Sequence, residues 1–522
     1  MTEKHEMRTA RKTPPHELYP GRLAIFPVME YIKMTKALWN RFMNQEKATM
    51  IRFFNTLGRR MTEFTPIREG YVGMYTCGPT VYNYAHIGNF RAYLFEDLLR
   101  RTLEYHGVKV TQVMNLTDVD DKTIRDSRAA GLPLQTFTRK YKDAFFEDLR
   151  TLRVEPAEHY PEATAHIPEM LEMIRQLMDK GYAYQSDDGS IYFSIEKCKT
   201  YGQLVKLDFE NQRIGDRVRS DEYAKDSVAD FALWKAWDEN DGDVRWDSPW
   251  GPGRPGWHLE CSAMSRKYLG LTFDIHTGGV DNMFPHHEDE IAQSESANGC
   301  KFVNFWLHCE HLTIKGQKMS KSLGNFYTLR DLTAKGWSGA EIRYLLLGTH
   351  YRSKLNFDPD ALGAARSALK KFHALFARLN AVPAGNALLD EAKAAAEAAR
   401  AKFADGLADD LNIAEALAAV HKFTHEVNAL LGKGVGRDAS NVLLDQYRDF
   451  DRVLAFLDVD SSLEAAEAPK QDVPAEILEL AQKRAEAKKA KDFAAADALR
   501  TQINAAGWTV KDTPAGPELS KL

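Results

Sequence analysis

The period of apolar positions changes along this chain, and each change marks an element. Val72-Gly73-Met74-Tyr75-Thr76-Cys77 is a short, nearly continuous apolar run, the pattern of a buried strand. Gly78-Pro79-Thr80 breaks it, and after Gly88-Asn89 the residues Tyr93, Leu94, Leu98 and Leu99 recur at helical spacing. Val108 to Leu116 is a second strand-like run, closed by Thr117-Asp118-Val119-Asp120-Asp121. Strand, glycine turn, helix, strand predicts the opening of a parallel nucleotide-binding sheet, with chemistry at the carboxyl ends of the strands.

Further along, residues 125–245 read as helices followed by a charged, strand-rich stretch, an inserted connective domain. The sheet resumes through Gly256 to Asn282. This predicts an α/β, Rossmann-like catalytic domain made of 50–124 and 246–330. Ala361–Leu379 and Leu388–Leu431 are alanine-rich with the apolar spacing of a helical bundle, assigned with its approach to 331–460. Residues 461–474 are low in complexity and read as a linker, and 475–522 as a small C-terminal domain of two helices and a strand at Trp508-Thr509-Val510.

Composition narrows the class. With 522 residues and 44% hydrophobic content the chain can bury several cores. No apolar run approaches the ~20 residues that span a bilayer. A net charge of -5 argues against a uniformly basic nucleic-acid coat and leaves room for local basic patches. Five scattered cysteines do not make a disulfide framework and suit the reducing cytosol, some as metal ligands. Residues 1–49 carry nine Lys/Arg against five Asp/Glu, with no secretory pattern. We expect either disorder there or an over-long start, with Met50 or a nearby methionine as the initiator.

Two short motifs carry the functional reading. His86-Ile87-Gly88-Asn89 opens the first helix, and Lys318-Met319-Ser320-Lys321-Ser322 lies more than two hundred residues later. Alone, the first is also accounted for by a buried turn and the second by a solvated loop. In this order they resemble the signature pair of class I aminoacyl-tRNA synthetases. Three longer stretches narrow the resemblance to the cysteinyl-tRNA synthetase family: Tyr75-Thr76-Cys77-Gly78-Pro79-Thr80-Val81-Tyr82, Arg254 through Ser262 (RPGWHLECS), and Phe284-Pro285-His286-His287-Glu288. The likeness covers about residues 50–515. The class signature usually ends in histidine where Asn89 stands, and asparagine can donate a hydrogen bond but cannot carry a proton.

His286 and Glu290, four apart after Pro285, predict two side chains on one face of a first helical turn. With Cys77 and Cys261 they offer two thiolates, an imidazole and a carboxylate, a set that suits zinc, although single cysteines are commonly buried hydrophobes. The resemblance implies that these four are the ligands of one zinc ion per chain, which would read the substrate thiol and reject serine. His258, His276, His287 and Trp257 are expected around them, most as core or ligand-orienting groups.

The resemblance also implies the activation site. His86, Asn89, Lys318 and Lys321 would be catalytic, and Thr80, Gly88, Gly278, Asp281 and Ser320 would complete the ATP site, with Mg²⁺ carried in on ATP. Asp281, in Gly278-Gly279-Val280-Asp281, would accept from ribose hydroxyls. The start of the first helix offers its positive end to phosphate.

On the RNA side, Asp409-Asp410-Leu411-Asn412-Ile413 resembles the anticodon-binding bundle of this subclass. Lys483, Arg484, Lys488, Lys489 and Lys491 crowd one segment that reads either as a phosphate-contacting cluster or as a solvated helix face, and Trp508 reads either as a base-stacker or as an edge-of-core tryptophan. The expected enzyme joins L-cysteine to tRNA(Cys) at the expense of ATP, as a cytoplasmic monomer without membrane attachment. Two alternatives stand beside it. One is a related ligase that transfers cysteine to an amino sugar and has no use for an anticodon module. The other is an inactive RNA-binding paralogue.

Overall fold

The computed structural model describes residues 50–205, 230–319, 324–460, 474–490, 492–513 and 516–521. They fall into two compact units, one of 50–362 with 397–424, the other of 363–396 with the described residues from 425 onward. This cut differs from the boundary drawn at 330/331 from the sequence, because residues 331–362 pack with the sheet.

The first unit begins with a hairpin, β1 (Arg52–Asn55) and β2 (Arg60–Glu63), followed by β3 (Tyr71–Thr76), α1 (Ile87–Tyr105) and β4 (Lys109–Met114). Helices α2 (Asp121–Ala129), α3 (Leu134–Thr151) and α4 (Ile167–Asp179) lead into a second sheet. Its strands β5 (Ala183–Gln185), β6 (Ile191–Phe193), β7 (Phe231–Ala236) and β8 (Gly253–Pro255) pair antiparallel in that order. The chain then returns through α5 (Trp257–Leu269), β9 (Phe273–Gly279), α6 (Glu288–Asn298) and β10 (Val303–Cys309).

The central sheet has the order β10-β9-β3-β4, and every pair in it is parallel. Both faces of such a sheet are covered, so its strands read as apolar runs; Met74, Tyr75, Val113 and Ile275 are fully buried. The chain runs outward from β3 to β4 on one side and returns through β9 and β10 on the other. That reversal opens a crevice beyond the carboxyl ends of β3 and β9, where open α/β sheets bind ligands.

After β10 come β11 (Leu312–Ile314), β12 (Gln317–Lys318), α7 (Leu329–Ala334), α8 (Gly339–Leu347) and β13 (Leu355–Phe357). Then follow α9 (Leu362–Asn380), α10 (Leu389–Ala408), α11 (Ile413–Lys433) and α12 (Arg437–Leu454). The alanine-rich pattern over 388–431 gave no break, yet the chain turns between α10 and α11, with Asp410 and Leu411 at φ of 60° and 55°. Left-handed backbone at two successive non-glycine residues costs about 1–2 kcal/mol each. It is held by the Asp410 carboxylate, which accepts the Phe54 N–H (2.8 Å), the Tyr351 hydroxyl (2.6 Å) and Arg352 Nε (2.6 Å).

The C-terminal module is α13 (Ala475–Lys489), α14 (Phe493–Ala505) and a hairpin of β14 (Trp508–Thr513) and β15 (Gly516–Lys521), around Ile477, Ala481, Ile503, Trp508 and Val510. Among the described residues no helix is long and apolar enough to cross a membrane.

Candidate active site and metal centre

Cys77 leaves the end of β3 into the crevice, and its N–H donates to Thr277 O of β9 at 3.3 Å. Gly78 lies so close to β4 that a β-carbon there would come 1.7 Å from Asn115 O, which requires glycine directly after the thiol. Cys261 faces inward from α5 and is 1% exposed. A π-turn over Met283–His287 precedes α6, so His286 stands just ahead of the helix that carries Glu290. The sequence placed both in one helical turn; the turn is wider, but the two side chains still meet.

The structure brings all four predicted ligands together. One donor atom from each of Cys77, Cys261, His286 and Glu290 lies within 4.8 Å of the others. Cys261 Sγ is 3.5 Å from His286 Nε2, which is 3.1 Å from Glu290 Oε1. Zinc bonds of about 2.3 Å to sulfur and about 2.0–2.1 Å to nitrogen or oxygen give tetrahedral edges of about 3.6 Å and about 3.3 Å. Glu290 Oε1 is buried without a hydrogen-bond partner, although a ring nitrogen stands beside it. Two donors turned to a common point, with no hydrogen bond between them, fit a shared cation.

Electrostatics favours the same reading. Burial pushes Glu290 up to about 8 and holds the Cys261 thiol well above its ordinary value, with neighbouring Cys77 and Glu290 adding to it. Burial also pushes the His286 imidazole down to about 3. The polypeptide alone favours a neutral quartet, whereas a dication at its centre favours carboxylate and thiolate.

Around the quartet the rings are held in order. His286 Nδ1 faces His258 Nδ1 at 2.9 Å, His258 Nε2 lies 3.4 Å from Asp289 Oδ2, and Tyr201 donates to Asp289 Oδ1 at 2.5 Å. With Nε2 of His286 turned to the cluster, its Nδ1–H donates outward, the orientation found in metal-binding histidines. Trp257 stacks on His286 (ring centroids 4.2 Å, interplanar angle 19°) while 41% exposed, and so forms a wall of the crevice.

The nucleotide corner lies alongside. His86 is the N-cap of α1: its Nδ1 accepts the Asn89 N–H at 3.2 Å, and Asn89 Oδ1 accepts the His86 N–H at 3.0 Å. Burial pushes the His86 imidazole down, partly offset by the carboxylate of Asp281. Asp281 follows β9 and folds back, so that a β-carbon on Gly279 would come 2.3 Å from its Oδ1. A β-carbon on Gly88 would come 3.1 Å from Met319 Cε. Ile87 N–H donates to Tyr327 O at 3.0 Å, and His86 packs edge-on against Phe326. The two signature motifs therefore meet. Thr80 bridges Thr117 at the end of β4, on the other side of Cys77. The Lys318 side chain, Ser320 and Lys321 lie outside the described residues.

Comparison with known proteins places the chain in a family. Residues 63–367 match the family described as "tRNA synthetases class I (C) catalytic domain", 402–458 the DALR domain, and 470–516 the "Cysteinyl-tRNA ligase anticodon binding domain". The cysteine–tRNA ligase of Protochlamydia amoebophila is 49% identical over 90% of this chain and 98% of its own. This chain belongs to the cysteine–tRNA ligase family. That of Brachyspira hyodysenteriae is 48% identical over 89% of this chain and 98% of its own. A methionyl-tRNA synthetase of Mycobacterium tuberculosis, solved with methionyl-adenylate, shares the fold at a TM-score of 0.57 and 15% identity, covering 77% of this chain and 95% of that one. The enzyme thus has the class I catalytic domain and an anticodon-binding module, the part for which an amino-sugar ligase has no use.

Within that module the structure decides between the two readings of Trp508 and corrects the one of Arg484. Trp508 is 6% exposed in the module's core, because β14 packs it against α13 and α14, so it is not available to stack on a base. Arg484 is 4% exposed and leaves the basic cluster, while Lys483, Lys488 and Lys489 remain exposed and Lys491 lies outside the described residues. Phe493, which opens α14 beside that basic helix, is 64% exposed. Sequence reasoning did not single it out, although an aromatic directly after the N-cap Asp492 and next to a basic run stands out in the sequence. It also missed His308 and Thr56, which reach the centre from β10 and from just beyond β1.

Proposed function

We propose that this enzyme activates L-cysteine with Mg²⁺-ATP to cysteinyl-adenylate and transfers the cysteinyl group to the 3′-terminal adenosine of tRNA(Cys), with zinc on Cys77, Cys261, His286 and Glu290 selecting the thiol. The observation that carries this reading is the convergence of those four donors, with Cys77 hydrogen-bonded to the side chain of Asn282, the neighbour of the Asp281 whose charge acts on His86. An amino acid whose side chain reaches the quartet then has its carboxylate near the nucleotide.

Serine differs from cysteine by one atom, and an apolar pocket separates such near-isosteres by only about 10²-fold. Zinc, when bound, supplies a Lewis acid that takes a thiolate and leaves a neutral hydroxyl a poor ligand at pH 7. Trp257 and His286 wall the crevice and keep water from the donors.

In activation the cysteine carboxylate attacks the α-phosphorus, and the bond to the β-bridging oxygen breaks to release pyrophosphate. This step rests on positioning and charge neutralisation. His86 donates to a phosphate oxygen, held in place by its cap with Asn89. Lys318 and Lys321 neutralise the leaving group with Ser320 beside them, and Gly88 lets the base approach the backbone. Asp281 accepts from the ribose, with Gly278 and Thr80 lining the site. In transfer, the 2′-hydroxyl of the terminal adenosine attacks the carbonyl and AMP leaves. Lys483, Lys488 and Lys489 contact phosphate, and Phe493 stacks on an anticodon-loop base. The enzyme acts as a cytosolic monomer, which suits its free thiols.

The test is transfer of labelled cysteine, and separately serine, to total tRNA by the full chain with zinc and Mg²⁺-ATP. Charging with cysteine and not serine is expected. Equal charging with serine overturns the zinc-selection reading, and adenylation without tRNA charging overturns the acceptor.

A further inference from the structure

The well around the four ligands contains a second complete donor set. Cys77, His276, His287 and Glu290 also present one donor atom each within 4.8 Å of one another. Cys77 Sγ is 3.3 Å from His287 Nε2, His276 Nε2 is 2.9 Å from Glu290 Oε2, and His287 Nε2 is 4.0 Å from Glu290 Oε1. These separations bracket the edges of about 3.3–3.6 Å that a tetrahedral zinc-sized ion requires. Cys77 and Glu290 belong to both sets; Cys261 and His286 belong to the first alone, His276 and His287 to the second alone.

Both additional rings are already arranged for ligation. His287 Nδ1 faces His308 Nε2 at 2.8 Å, and His308 Nδ1 faces the Thr56 hydroxyl at 2.8 Å. A proton on each Nδ1 satisfies the whole chain and turns the His287 Nε2 lone pair toward Cys77. His286 is treated the same way by His258, so the two neighbouring histidines are each oriented by another imidazole. His276 sits between two acceptors, Glu290 Oε2 at Nε2 and Thr277 O (3.2 Å) at Nδ1. With its proton on Nε2 it orients the Glu290 carboxylate; with its proton on Nδ1 it offers Nε2 as a ligand, and either tautomer has a hydrogen-bond partner. Trp306 stacks on the His276 ring at 4.6 Å and 16°, so the ring keeps its plane in both roles.

We propose that the well holds two interchangeable donor sets sharing Cys77 and Glu290, in which His276 and His287 take over as ligands when Cys261 or His286 is lost. This rests on the reading that the well binds a zinc-like dication. The second set has one thiolate where the first has two, and is therefore the harder one, expected to bind zinc more weakly and to discriminate less against cobalt.

The test uses full-length protein, dialysed against metal-free buffer, with zinc per chain measured by elemental analysis. The sulfur-to-cobalt charge-transfer absorption after replacement counts the thiolates. Wild type is expected to hold one zinc and give a two-thiolate spectrum. Cys261→Ala should still hold one ion, with about half the charge-transfer intensity. Cys77→Ala and Glu290→Ala, which damage both sets, should hold none, and Cys261→Ala combined with His287→Ala should also hold none. His286→Ala gives the same retention by a separate route, keeping both thiolates in the chain but only one on the ion, which covers the case in which Cys261→Ala fails to fold. Circular dichroism and melting of each variant separate metal loss from unfolding. Loss of metal in folded Cys261→Ala or His286→Ala to the level of Cys77→Ala overturns the proposal, as does retention in the double variant. A wild-type chain without bound metal would instead overturn the metal reading on which it stands.

Discussion

His86 and Asn89 cap one another at the start of α1, the ring nitrogen of His86 accepting at 3.2 Å and the amide oxygen of Asn89 accepting at 3.0 Å. The side chain that departs from the usual class signature thus holds the backbone N–H of the other signature residue. Asn89→Ala removes the returning bond and should cost about 1 kcal/mol of stability, as losses at helix caps do. It should also slow cysteine-dependent pyrophosphate exchange, by releasing the His86 backbone N–H while the ring keeps its bond to the N–H of residue 89. Asn89→His should change that rate by about tenfold or less, on the scale of one neutral hydrogen bond. Exchange kinetics and denaturant melts check both.

Gly88→Ala would place a methyl 2.9 Å from His86 Nδ1 and 3.1 Å from Met319 Cε. We expect KM for ATP to rise more than KM for cysteine, since the clash lies between the two signature motifs and touches none of the four candidate metal ligands. Equal effects on both constants would contradict that division.

Asp410→Asn removes the charge that faces Arg352 and one acceptor from a carboxylate holding Phe54, Tyr351 and Arg352. Asp410 is buried but Arg352 is 39% exposed, so weakening this pair and its hydrogen bonds should cost about 1–2 kcal/mol, read as a lower midpoint in denaturant. The turn between α10 and α11 should become the first site of fast amide exchange.

Asp148 gives a pH dependence with a definite sign. Burial raises its carboxyl from 3.8 to about 6, against the pull of Arg330 at 3.3 Å. A carboxyl raised on folding contributes stability that is fully present below about pH 4 and is lost as pH rises through about 6. Asp148→Asn should therefore compare better with the wild type at pH 8 than at pH 4, by about 2 kcal/mol. Unfolding curves at the two pH values check it.

Phe493→Ala should raise KM for tRNA about tenfold or more, the scale of one lost base stack, while leaving pyrophosphate exchange and melting unchanged. Trp508→Ala should instead melt the C-terminal module, because that ring fills its core.

The sheet was legible from a local pattern, an apolar run closed by glycine, and so was the pairing of His286 with Glu290 at helical spacing; Cys77 and Cys261 joined them as candidate ligands through the family resemblance. What surrounds the quartet was legible only in part. His276 and His287 stood out by their closeness in sequence to the ligand candidates, whereas His308 and Thr56 come from distant segments, and the hydrogen bonds that orient these rings exist only once the strands pair. Arg484 was misread because charge does not reveal which side of a helix faces the core. The turn at Asp410 was hidden because left-handed backbone at aspartate and leucine is stabilised by distant partners, not by its own residues.

The placement of β3 between β4 and β9 also sets a timetable for the nascent chain. β3 can pair with β4 as soon as that strand emerges, but β9 is made about 160 residues later, about 8–30 s at ordinary ribosomal rates. Through that interval Cys77 lies at the tip of an uncovered strand edge, without the backbone carbonyl or the partner donors it will face. The half-built sheet is then most exposed to oxidation and to pairing with other chains, so any factor that shields it must act before α6 leaves the ribosome.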